Sequence, residues 1–81
     1  MTQKEKFELE KLLEEAIQNY KTAEGDWQSY ELAIKNGDLD NAKVCMRKFD
    51  YHRGYAEGIY QVLACVKYKN TRMSLLASML S

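Results

Sequence analysis

The side chains able to take part in chemistry are few, and their spacing forms no catalytic set. His52 is the only histidine, the residue type that most often acts as a general base near neutral pH. No serine, cysteine or carboxylate can be paired with it from spacing, so we interpret His52 as a core residue between helices. A phosphate-binding glycine loop is also absent from the sequence. We therefore expect a protein without enzymatic activity.

Cys45 and Cys65 are the two cysteines. On one straight helix they would lie about 30 Å apart, too far for a disulfide. Neither has another cysteine or histidine at metal-ligand spacing. We expect reduced, buried thiols, no metal site and no cofactor.

Residues 47–58 combine tyrosine, arginine and a G-x-x-x-G pattern. Tyrosine and arginine are favoured at protein interfaces, and glycines one helical turn apart let another helix or a ligand approach the backbone. The same mixture suits a clamp on a phosphorylated ligand, and a solvated basic face that only covers the fold is the third interpretation. The candidate partner- or ligand-binding residues are Arg47, Tyr51, Arg53, Gly54, Tyr55 and Gly58.

Two long helices must position these residues, and their apolar residues recur at spacings of three and four. Thr2 and Glu5 predict the start of a helix at about residues 2–35, Gly37 lies in a loop at 36–38, and a second helix follows at about 39–69. Such a short loop predicts an antiparallel hairpin, in which Trp27 faces Phe49. The two apolar seams are Leu9, Leu13, Ala16, Tyr20, Ala23, Trp27, Tyr30 and Ile34, and then Ala42, Cys45, Phe49, His52, Ala56, Ile59, Leu63 and Val66.

A C-terminal helical segment at about 71–80 extends beyond the residues that the first helix can cover. Either Asn70 or Thr71 caps a short helix that folds back, or the second helix continues and buries this end in another chain. A chain of 81 residues has little core of its own, which favours a homo-oligomer, a dimer or higher. The candidate interface residues are Phe7, Leu12, Val62, Met73, Leu76, Met79 and Leu80.

The whole sequence predicts one all-α domain. Basic and acidic residues balance at twelve each, so no general attraction draws the chain to nucleic acid or to an anionic membrane. No apolar run is long enough to cross a bilayer, and the N-terminus is unlike a signal peptide. We expect a cytoplasmic protein.

The stretch from Asp50 to Ile59 resembles helical segments of short hairpin proteins of bacteriophages and prophages. The resemblance implies an origin in a mobile element, where small oligomeric helical proteins inhibit a host enzyme or defence complex, or sequester its nucleotide messenger. It carries over no site residue.

These patterns together favour a non-enzymatic binding protein that self-associates and occludes a site on a partner protein. The alternative is an oligomeric sponge that binds a small anionic molecule, such as a nucleotide, between subunits.

Overall fold

A computed structural model describes residues 2–81 and shows three α-helices: α1 (Gln3–Lys35), α2 (Leu39–Cys65) and α3 (Thr71–Leu80). The prediction of an all-α chain whose two long helices pack together is confirmed. The hydroxyl of Thr2 accepts a hydrogen bond from the backbone N–H of Glu5 at 3.1 Å, which caps the start of α1 as predicted.

The turn between α1 and α2 has the hydrogen bonds of a Schellman motif. Gly37 adopts a φ of 73°, its N–H donates to the carbonyl of Ile34 at 3.1 Å, and the N–H of Asp38 donates to the carbonyl of Ala33 at 2.9 Å. The Asp38 carboxylate then accepts from the N–H of Asn41 at 3.2 Å. The same three-residue turn thus ends one helix and caps the next.

The predicted seam between α1 and α2 holds in the middle and fails at its ends. The rings of Trp27 and Phe49 lie 5.2 Å apart between centroids, as expected. Ile34 is 46% exposed, and Ala33 is buried in its place. The covered position has therefore moved by one residue at this end of α1. Val66, the last seam residue, is exposed because α2 has already ended.

The prediction that the second helix extends to about residue 69 is wrong, because α2 ends at Cys65. Lys67 adopts a φ of 56°, and its N–H donates to the carbonyl of Ala64 at 3.0 Å. The N–H of Tyr68 donates to the carbonyl of Leu63, also at 3.0 Å, and Tyr68 itself is buried. This is the Schellman motif of the first turn repeated, with lysine in the place usually taken by glycine.

The C-terminal segment folds back as a separate helix, and a continuous extension of α2 is excluded. Leu76 is fully buried against Leu13 and Leu63, and Met73 and Leu80 pack on the same core. Three of the predicted oligomer residues, Met73, Leu76 and Leu80, are therefore covered at least in part by their own chain.

Two polar contacts show on which side of the hairpin α3 lies. Arg72 forms an ion pair with Glu14 of α1, and Arg53 of α2 donates to the carbonyl of Leu80 at 3.2 Å. Glu14 and Arg53 are each two positions, or about 200° around the helix, from Leu12 and Tyr55. We call the side under α3 the covered side and the side of Leu12 and Tyr55 the open side.

Candidate partner-binding surface

The open side carries a depression of about 440 Å³ between α1 and α2, which we call the open groove. Its walls are mainly apolar, and most of them come from consecutive turns of α2. They consist of Leu12, Gly54, Tyr55, Gly58, Ile59 and Val62. Five of these six were predicted as partner or interface residues, in two separate groups that the fold brings together.

Gly54 and Gly58 form the bare floor of the open groove. A methyl group built on either residue meets no atom within 4 Å. Tyr55 and Val62 rise beside them and are 42% and 55% exposed. Both glycines lie inside α2 with ordinary helical backbone, so neither is required by a turn.

Tyr55 is held in place across the groove. Its hydroxyl donates to the Glu15 carboxylate of α1 at 2.6 Å, and this hydrogen bond to Glu15 raises the pKa of the Tyr55 phenol. The ring of Tyr51 lies 6.3 Å from that of Tyr55 between centroids, so the two tyrosines make a continuous aromatic ridge on α2.

The α1 edge of the groove is acidic. Glu8, Lys11 and Glu15 line a depression of about 400 Å³ that shares Leu12 with the open groove. Glu5 and Glu8 line another of about 370 Å³ beside the same leucine. Three carboxylates and one ammonium group therefore border the apolar floor.

The remaining candidates fall outside the groove. Arg53 points to the covered side, where it binds Leu80 and lies 3.7 Å from the Glu57 carboxylate. Arg47 is exposed and forms none of the ion pairs found in residues 2–81. Phe7 is 64% exposed but lies about 140° around α1 from Leu12, and Met79 is partly buried on α3.

His52 has a partner that spacing alone did not reveal. Its Nδ1 lies 2.8 Å from the Asp26 carboxylate, and its ring lies nearly perpendicular to that of Tyr51, with 5.2 Å between centroids. The sequence pattern placed Ala23 opposite His52, and Asp26 reaches it from the neighbouring turn. Within residues 2–81, no hydroxyl or thiol is hydrogen-bonded to His52.

The cysteines differ from each other in environment. Cys45 is buried as expected, whereas Cys65 is exposed on the last turn of α2, and both are free thiols. Residues 2–81 include no group of three side chains placed to hold a metal ion. In the same part of the chain, the helices lack a stretch long and apolar enough to cross a membrane.

No family model, curated protein or solved structure matches the chain. A functional assignment must therefore come from the groove and the surfaces around it. The resemblance to bacteriophage hairpin proteins stays a prediction.

Proposed function

We propose that the chain is a non-enzymatic binding protein that assembles as a homodimer through its open groove and acts by covering a surface of a partner protein. The observation that supports the assembly is the bare floor at Gly54 and Gly58, set between the exposed side chains of Tyr55 and Val62. Two turns without a Cβ allow the backbone of an incoming helix to lie close to α2.

Packing within a single copy of the chain does not require glycine at Gly54 or Gly58. Each destabilises a helix interior by roughly 0.5–1 kcal/mol relative to alanine. Alanine would fit at both positions because no atom lies within 4 Å of the added methyl group. A contact with another molecule would account for Gly54 and Gly58, whereas packing inside one copy does not.

The surface area of the chain favours a second copy as the occupant of the groove. The chain exposes 5857 Å², whereas a compact monomer of its mass exposes about 5,000 Å². The surplus of roughly 800 Å² is close to the area that each partner buries in a standard interface. A two-fold axis between Gly54 and Gly58 would set each glycine of one copy against the other glycine of its partner. This moves the proposed assembly face from the chain termini to the middle of α2.

An anionic ligand suits the open groove poorly. Glu5, Glu8 and Glu15 border it, with Lys11 as the one cation among the residues that line the three depressions. Arg53, one of the candidate partner- or ligand-binding residues, contacts Leu80 and Glu57 on the covered side. The charges around the open groove therefore do not support the alternative function, in which the oligomer binds a nucleotide between subunits.

We also propose that the chain has no enzymatic activity. His52 is bound to Asp26, and this pair serves to join α1 to α2. The free thiols of Cys45 and Cys65 suit a reducing compartment, and we propose the cytoplasm.

The Gly54→Ala, Gly58→Ala double variant tests the assembly face. The added methyl groups should hold two copies apart, so we expect the dimer dissociation constant to rise at least about tenfold, which is 1.4 kcal/mol. The dilute monomer should become more stable by about 1–2 kcal/mol, because alanine favours the helix. Sedimentation equilibrium over a concentration series measures the first effect, and thermal unfolding of dilute protein measures the second.

Gly25→Ala is the matched control. Gly25 also lies inside a helix with no atom within 4 Å of an added methyl group, but it is outside the groove. This variant should gain stability and keep the wild-type dissociation constant. A wild-type chain that sediments at 9.5 kDa up to about 100 µM would refute the homodimer. A double variant that assembles normally would refute the open groove as its assembly face.

A further inference from the structure

A second cleft lies between α1 and α2 nearer the Gly37 turn, and we call it the aromatic cleft. It has a volume of about 560 Å³ and shares no residue with the open groove. Five of its six lining residues lie on α1, and Phe49 contributes from α2. The lining residues are Tyr20, Glu24, Trp27, Gln28, Glu31 and Phe49.

Trp27 is the central aromatic side chain of this cleft. The sequence pattern predicted it as a core residue, yet it is 40% exposed. Its ring lies 5.2 Å from that of Phe49 and 5.3 Å from that of Tyr30, tilted by 52° and 34°. These neighbours fix the indole in place and still leave much of it open to solvent, so the cleft presents a firm aromatic surface.

Two carboxylates flank the indole. Glu24 is three positions before Trp27 and Glu31 four positions after it, so all three side chains share one face of α1. Both glutamates are exposed, and neither takes part in the ion pairs of residues 2–81. The lining includes no lysine or arginine. The cleft therefore combines an aromatic surface with two carboxylates and no cation in its lining.

We propose that the aromatic cleft binds the cationic side chain of an arginine or lysine on a partner protein. The cation lies over the indole of Trp27, attracted by the negative face of the ring. Glu24 and Glu31 accept its charge-assisted hydrogen bonds. The inference rests on the proposed function only in taking the partner to be a protein.

Other occupants fit this lining less well. An anion would meet two carboxylates and no compensating cation. A purely apolar side chain would cover Trp27 but would remove water from Glu24 and Glu31 without replacing their hydrogen bonds. A cationic side chain interacts favourably with the face of the indole ring and also donates hydrogen bonds to the carboxylates. All of the lining residues belong to one copy of the chain, so the cleft is complete in a monomer and in a dimer alike.

Fluorescence tests the proposal directly, because Trp27 is the only tryptophan. The purified full chain is titrated with N-acetylarginine methylamide and, separately, with the neutral analogue N-acetylcitrulline methylamide, which has nearly the same shape. We expect a saturable change in indole emission with the arginine probe, with a dissociation constant on the order of millimolar for one side chain. The citrulline probe should bind at least about tenfold more weakly, because it lacks the charge.

Glu24→Gln and Glu31→Gln keep the shape of the cleft and remove its charge. Each should weaken the arginine probe severalfold, and the double variant about tenfold or more. Glu10→Gln removes an exposed carboxylate from the same helix outside the cleft and should leave the titration unchanged. Equal responses to arginine and citrulline, or a titration unaffected by the double variant, would overturn the proposal.

The homodimer and the cation site in the aromatic cleft can be refuted independently of each other. A chain that sediments as a monomer but still binds the arginine probe would refute the homodimer and support the cleft. A dimer whose indole emission does not respond to the probe would support the homodimer and refute the cleft.

Discussion

Leu75 and Leu76 are neighbours in sequence and opposites in environment. Leu76 is fully buried between α1 and α2, whereas Leu75 is 52% exposed. Successive helical residues point about 100° apart, so the docking of α3 decides which leucine is covered. The same substitution made at each of the two leucines therefore tests how α3 docks.

Leu76→Ala should lower the free energy of unfolding by about 2–5 kcal/mol, the usual cost of removing a buried leucine side chain. Leu75→Ala should change it by less than about 0.5 kcal/mol, as at an ordinary surface position. Urea unfolding followed by circular dichroism measures both. Equal effects from the two substitutions would mean that α3 does not dock as the structure shows.

At the scale of elements, α3 depends on caps and an ion pair as well as on Leu76. The side chain of Asn70 accepts from the N–H of Arg72 at 2.8 Å and donates to the Tyr68 hydroxyl at 3.0 Å. The guanidinium of Arg72 then pairs with Glu14 on α1. The hydrogen bonds from Arg72, and secondly from Gln18, hold the pKa of Glu14 below its ordinary value of 4.5.

Acid should weaken this attachment of α3. Because the pKa of Glu14 is lowered in the folded chain, its contribution to stability is present above pH 4.5 and is lost as the pH falls through the folded value. Wild type should melt at a higher temperature than Glu14→Gln at pH 7, and the difference should shrink as the pH falls below 4.5. Thermal unfolding at a series of pH values measures the difference. A difference that stays constant as the pH falls would show that the ionisation of Glu14 does not stabilise this attachment.

The two turns show which element boundaries the sequence could predict. Asn36 and Gly37 are residue types that favour the left-handed conformation, and the turn they form was predicted correctly. Lys67 adopts the same conformation without such a signal, so the end of α2 was placed too late. The burial of Tyr68 in the next position offsets the unfavourable backbone there. That contact depends on the fold and is invisible to local propensity.

At the scale of the whole molecule, the chain is a thin rod of 52 × 19 × 16 Å. Its radius of gyration is 15.2 Å, compared with about 12 Å for a compact domain of this length. The helical periodicity was sufficient to predict that the two long helices pack together, whereas Gly54, Tyr55 and Gly58 of the open groove were singled out by residue type. It did not predict the aromatic cleft. Trp27 and Phe49 meet as expected, but residue spacing does not show that the indole stays 40% exposed beside its neighbours.

The turn at Lys67 also has a consequence for the dynamics of the chain. A helix of ten residues, the length of α3, is marginal on its own in water. Undocking should therefore melt α3 and at the same moment release the backbone of Lys67, so we expect α3 to open as one unit before α1 and α2 separate. In native-state hydrogen exchange, amides of residues 71–80 should exchange faster than those of residues 56–63. Lys67→Gly should slow the exchange of α3 selectively, because glycine adopts the left-handed conformation without the strain of about 1 kcal/mol.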